Sequence, residues 1–249
     1  MHRLRAQTGH PVNGHARSLS PIRSPKGLNC TMNTSSARFP DLLHQDFLSL
    51  ILSLSASRFG GPSICDELPP TVGTGSRADA FEIHEDDWRQ VEAIAGSLGD
   101  MVQSELRAIR KVYEEHARRA GDGGLIGFDA IHVRSQPARP LPDPPPLRWV
   151  LSMLPRPSRH YSGVAFKGAA GVAVGSFAVA STGANVYGLA DGDAIEVLCL
   201  DGRAIPDAGP ASDIIPGLRE VMRAFDLVIV DWCRCSVIGP DSVAAYLSR

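Results

Sequence analysis

An α+β fold is what this sequence predicts, with a long N-terminal helix and a second helix packed on one face of a mainly antiparallel sheet. Three observations predict it. Between Trp88 and Tyr113, apolar residues recur every three or four positions, the period of a helix. From residue 125 to 200, short apolar segments alternate with Gly, Pro and Asp turns. A second helical stripe then leads into a continuous apolar run at 227–233.

Ahead of these elements the text is different. Residues 1–77 read as a disordered or low-complexity segment, and residues 78–249 as a single domain. Residues 1–40 hold no acidic residue and are rich in Ser, Pro, Asn, Arg and His, with too few large apolar groups to offset the entropy of ordering. The run from Phe47 to Ala56 (FLSLILSLSA) has the length of a signal-peptide core. It lies more than forty residues from Met1, however, and follows Asp41 and Asp46 where positive charge is expected. A short helix without a targeting role is the expectation. The shift in composition near residue 75 also suggests a mis-assigned translation start, with Val72 as the alternative.

Residues 80–84 (AFEIH) form a strand or extended entry to the domain. Asp86 or Asp87 caps the long helix, with Gln90 in a capping-box position. Its stripe is Trp88, Val91, Ile94, Leu98, Met101 or Val102, Leu106, Ile109 and Val112 or Tyr113, and Glu114/Arg118 and Glu115/Arg119 pair on its exposed end. Gly96 and Gly99 mark a kink, a close approach or a break inside it, and the GDGG stretch at 121–124 stops it. Residues 125–134 (LIGFDAIHVR) read as a strand, with Ile131 and Val133 toward the core and His132 toward solvent. The proline-rich stretch 137–146 has to be extended loop or sheet edge.

Residues 148–154, 159–167, 172–180, 185–189 and 194–200 are strand candidates, parted by turns at Gly183, Asp191-Gly192 and Asp201-Gly202. No connection among them is long enough for a helical crossover, so an antiparallel meander is expected. Ser212 or Asp213 caps the second helix, which tolerates Pro216 in its first turn and buries Ile214, Leu218, Val221, Met222 and Phe225. Residues 227–233 are a central strand. Gly239-Pro240-Asp241 opens a last short helix through Leu247.

Charge excludes some functions. Up to Gly75 the formal charge is +3, and beyond it −5. A mildly acidic domain does not attract nucleic acid or anionic membrane by bulk charge. Three lysines stand against 22 arginines spread along the chain, which reads as codon bias in a GC-rich bacterial genome. Five scattered cysteines do not make a disulfide framework, so reduced thiols in a cytoplasmic protein are expected. No run of 18 apolar residues is present to span a membrane.

Candidate chemistry gathers at Asp231-Trp232-Cys233-Arg234-Cys235, at the end of the most apolar strand. Positive charge from Arg234 lowers the pKa of a neighbouring thiol, and with His132 or His160 in reach Cys233 would be a nucleophile. The competing reading makes Trp232 and one cysteine core, with Asp231 and Arg234 paired. A metal at the Cys-x-Cys pair would need Cys199, His132 or His160 as further ligands, without a recognised spacing. Carboxylates beside His84 are explained by helix capping. The glycine-rich stretch 168–175 lacks the signature of either a P-loop or a dinucleotide fold. No cofactor and no metal is expected.

These readings favour a non-enzymatic protein-binding or regulatory domain of immunity or accessory type, its partner another protein. A cysteine-dependent hydrolase or transferase using Cys233 with a histidine is the first alternative. A domain that cups a small apolar ligand between helix and meander is the second.

Overall fold

Helices and strands are mixed around one seven-stranded sheet. The computed structural model describes residues 61–65, 67–72, 77–137, 139–155, 159–181, 184–201 and 214–247. The unit Met1–Pro40, the run from Phe47 to Ala56, Gly183, Gly202, Ser212 and Asp213 lie outside the described residues.

The sheet strands are β1 (Val91–Ala95), β2 (Arg159–Tyr161), β3 (Ser176–Ser181), β4 (Ala184–Asp191), β5 (Ala194–Asp201), β6 (Leu227–Asp231) and β7 (Ser236–Ile238). They lie in the order β7-β6-β1-β5-β4-β3-β2, and every neighbouring pair is antiparallel. The helices are α1 (Gly99–His116), α2 (Leu147–Met153), α3 (Ile215–Ala224) and α4 (Val243–Leu247). The expected meander is β2 to β5. Strands β5 and β6 flank β1 and each opposes it, so they run parallel to one another and α3 carries the crossover.

Two expected elements change type. The predicted long helix begins at Gly99, and its first part is instead β1 followed by a 3₁₀ turn at Gly96–Leu98. In the sequence VEAIA, Val91 and Ile94 fit a helical stripe, but pairing with β5 and β6 satisfies the backbone on both sides. Gly96 marks the break, its N–H donating to the Asp226 carbonyl at 2.7 Å. Residues 148–154, expected as a strand, lie in α2 and its C-cap, which start on Pro146 and bury Val150 and Leu154 one turn apart. A short, almost wholly apolar run fits either period, and the helix is the one that packs against α3.

Helices cover both faces of the sheet, not one. Alternation along β1 sends Ala93 to a core with Leu218, Val221 and Met222 of α3, Val150 of α2 and Val243 of α4. Ile94 goes to the opposite face, against Val102, Leu106, Ile109 and Tyr113 of α1. The α2–α3 contact is close: a Cβ on Gly217 would lie 1.8 Å from the Met153 carbonyl oxygen. Beside α1, the outer part of the second face is covered by Phe81, Ile83, Trp88, Val164 and Phe166 packed on Ala178, Tyr187, Val197 and Cys199. Four aromatic rings, Phe81, Trp88, Phe166 and Tyr187, pack together on this part of the sheet.

Four short ladders tie the periphery to this body. Phe81–Ile83 runs parallel to Val164–Phe166, and Ala117–Arg119 pairs antiparallel with Leu125–Phe128. Arg118 is thus on a strand, paired with Asp129 at 3.5 Å rather than with Glu114 on a helix. Thr71–Val72 pairs with Val172–Ala173, and Ser63–Ile64 runs parallel to His132–Val133. The last two ladders bring residues ahead of the boundary expected at Ala78 onto the domain, where Ser63 and Cys65 are buried.

Candidate functional site

The tight turn from β6 to β7 carries the expected cluster. Asp231 is buried and accepts hydrogen bonds from the Arg234 backbone N–H and the Tyr246 hydroxyl, each at 2.9 Å. Its carboxylate shapes the turn, which Cys235 completes in the left-handed region at φ 47°. Burial pushes the Asp231 pKa upward, against the N–H of Arg234 and the Tyr246 hydroxyl. Arg234 lies 3.7 Å from the same carboxylate and stands over the Tyr246 ring.

Cys233 turns inward beside Gly61, and its thiol donates to Gln90 Oε1 at 3.4 Å. Burial, with the charge of Asp231, raises its pKa to about 12. That is the reverse of the shift a thiol nucleophile needs. Cys235 is likewise raised to about 12, by burial against α1. The hydrogen bond that the Cys233 thiol makes among the described residues goes to Gln90, not to His132 or His160. The ring of His132 lies 2.6 Å from Glu105 on α1, so its strand presents the opposite face from the one predicted: Ile131 and Val133 are exposed. His160 is on β2, the far edge strand, five strand spacings from β6, or about 24 Å.

Beneath this turn lies a polar cluster that sequence reading missed. Arg89, Gln90, Glu92, Arg134 and Ser63 are all buried. Glu92 lies on the β1 face that also carries Ile94, so a carboxylate occupies an interior position. Its two oxygens are both engaged, one by Arg89 Nε at 2.6 Å and the other by the Trp232 indole N–H at 2.8 Å. Arg89 is held in the left-handed region at φ 57°, a strained conformation for a long side chain. That backbone turn lets successive residues Arg89 and Gln90 both point inward.

Arg134 comes from the end of the His132–Val133 ladder. It donates to Ser63 Oγ at 2.9 Å, Gln90 Oε1 at 3.1 Å and the Arg89 carbonyl at 3.1 Å, and lies 5.2 Å from the Trp232 ring centroid. Burial lowers its pKa; at Arg89 burial also pulls downward, but the Glu92 carboxylate together with other neighbouring groups leaves the pKa raised. Two buried guanidinium groups thus lie in a cluster with one buried carboxylate, which is bonded to Arg89. Arg89 Nη2 and Arg134 Nε are buried with no hydrogen-bond partner. The one sequence signal for the cluster was available: reading 91–95 with a period of two puts Glu92 inside.

Residues 61–65 form a strap over the cluster. Ser63 contributes its hydroxyl to Arg134 and its carbonyl to Gln90 Nε2 at 2.9 Å. The backbone holds it through His132 N–H to the Pro62 carbonyl at 2.8 Å and Arg134 N–H to the Ile64 carbonyl at 3.0 Å. The four described cysteines are unpaired thiols, and among the described residues no three His, Cys, Asp or Glu side chains gather as metal ligands. No described helix is long and apolar enough to cross a membrane. Set against family models, curated proteins and solved structures, the chain matches none.

Proposed function

We propose that this chain is a non-enzymatic protein-binding domain with a regulatory or accessory role, acting through its surface. The observation that carries the reading is the use made of Cys233. Its thiol has a pKa raised by burial to about 12, is bonded to an amide oxygen and lies against Gly61 of the strap, so the residue with most nucleophilic potential serves packing. The surface supports the same reading. Ile126, Ile131 and Val133 are exposed within eight residues of one another, and exposed Arg118 and Arg119 pair across the ladder from residues 125–128. An apolar centre beside arginines suits a partner with an apolar contact and an acidic rim.

Affinity capture with the wild-type chain and with Ile131→Asp/Val133→Asp tests this. The expected result is a partner retained by the wild type and lost by the variant, with both chains folded by circular dichroism. Equal recovery on both baits sinks the assignment of the surface. A thiol-reactive probe checks the competing cysteine chemistry: at pH 8, Cys233 is expected to label roughly a thousandfold more slowly than a free thiol, in proportion to its thiolate fraction. Labelling faster than the other cysteines would favour the hydrolase or transferase.

A further inference from the structure

The cluster under the strap is unbalanced in charge, and the imbalance is built in. Of its buried ionic groups among the described residues two are cations, Arg89 and Arg134, and one is an anion, Glu92. Glu92 is bonded to Arg89 through one oxygen and to Trp232 through the other, and Arg134 bonds instead to Ser63, Gln90 and the Arg89 carbonyl. The thiols nearby do not supply the missing charge, since burial raises Cys65, Cys199 and Cys233 alike. Asp87, whose charge reaches Cys233, is only half-buried. The Trp232 face attracts the Arg134 cation but carries no net charge.

The strap answers the arginines only with neutral oxygen. Ser63 Oγ accepts one bond from Arg134, while Arg89 Nη2 and Arg134 Nε stay without a partner. A buried cation left with unused donors is costly, and what relieves it is an anion with several acceptor oxygens. We infer that residues 61–65 close an oxyanion site, with Ser63 standing where a ligand's oxygens bind and Arg89 and Arg134 as the residues that take a phosphate or carboxylate group. The ligand displaces the strap, because the two compete for the same Arg134 donors. The strap is joined to the domain by a ladder only two residues long, Ser63–Ile64, outside the main sheet, and two of its hydrogen bonds are to the Arg134 and Gln90 side chains that an oxyanion would engage or disturb.

The test uses the full chain, with inorganic phosphate in one arm and acetate in the other, each against chloride at equal ionic strength. Amide hydrogen exchange reads His132 and Arg134, whose N–H groups hold the strap. Either anion is expected to speed exchange at these two amides by about fivefold or more, while β4 and β5 amides stay unchanged. A response to phosphate alone identifies a phosphate-type ligand, and a response to acetate as well a general oxyanion site. Arg134→Met is expected to abolish the response. Ser63→Asp supplies a carboxylate from the strap itself and is expected to raise Tm by about 2–4 °C and remove the phosphate effect. No change in exchange with either anion overturns the inference. So does an equal response in Arg134→Met, which would mean an adventitious ion only, or a Ser63→Asp protein no more stable than Ser63→Leu.

Discussion

The two faces of the central sheet are built on different physics, and β1 shows both within five residues. Val91 and Ala93 point to the side of α2, α3 and α4, where the core around them is built from apolar side chains and the buried Asp231 sits at its margin against Tyr246 of α4. Glu92 and Ile94 point to the side of α1, where apolar packing surrounds two guanidinium groups and a carboxylate. On the first face stability comes from excluded water and close packing, so damage is graded by the volume removed. On the second it depends on charge balance, so removing a few atoms of the wrong kind costs more than removing a whole apolar side chain.

The sharpest way to break that comparison is Glu92→Gln, which keeps the shape and removes the charge. Arg89 and Arg134 would then share a buried site with no anion, and a loss of about 3–5 kcal/mol in urea unfolding is expected. Ile229→Ala on the apolar face, fully buried in β6, is expected to cost about 2–4 kcal/mol by leaving a cavity. If Glu92→Gln proved the milder of the two, the second face would be ordinary core and the distinction would fall. Adding Arg89→Met to Glu92→Leu sharpens it further. Removing both partners is expected to cost less than the sum of the single changes, as read in a double-mutant cycle.

Legibility in the sequence divides along the same line. The face of α3 was readable because Ile214, Leu218, Val221 and Met222 repeat at helical spacing, and local periodicity is enough to assign them. The meander was readable from its turns. The buried cluster was not, because its bonds join distant positions: Arg134 to Ser63 across 71 residues, and Trp232 to Glu92 across 140. No local pattern marks such partners. The reversed strand at Ile131 and Val133 has the same cause. His132 is drawn inward by Glu105, a partner 27 residues away, and hydrophobicity alone pointed the other way. The helix expected from Trp88 failed because Val91–Ala95 suits both periods, and its strand form is selected by β5 and β6.

A smaller effect probes the apolar face where it is tightest. Gly217→Ala places a methyl group against the Met153 carbonyl, a backbone atom that cannot turn aside. A cost of about 1–3 kcal/mol is expected, with α2 and α3 pushed apart. The same substitution at Gly99, where an added Cβ meets nothing, is expected to be neutral or slightly stabilising, since alanine favours the first turn of α1. A similar loss at both positions would mean that helix propensity, and not the α2–α3 contact, sets the cost.

The smallest expected effect concerns Asp231, where burial and hydrogen bonding oppose each other. Burial raises its pKa despite the Arg234 N–H and the Tyr246 hydroxyl, so the folded chain binds this proton more tightly than the unfolded chain does. The stability it contributes is therefore fully present below the unfolded value of about 3.9, and is lost as pH rises through the higher folded value. Asn at this position keeps an oxygen for the Arg234 N–H but carries no titrating proton. Relative to wild type, Asp231→Asn is expected to gain stability between pH 4 and pH 7, measured by urea unfolding at each pH. A gap that instead widens against the variant as pH rises would show Arg234 and Tyr246 holding the carboxylate charged. The turn at the end of β6 would then be an ion-pair site on the side of α3 and α4, and the contrast between the two faces would weaken there.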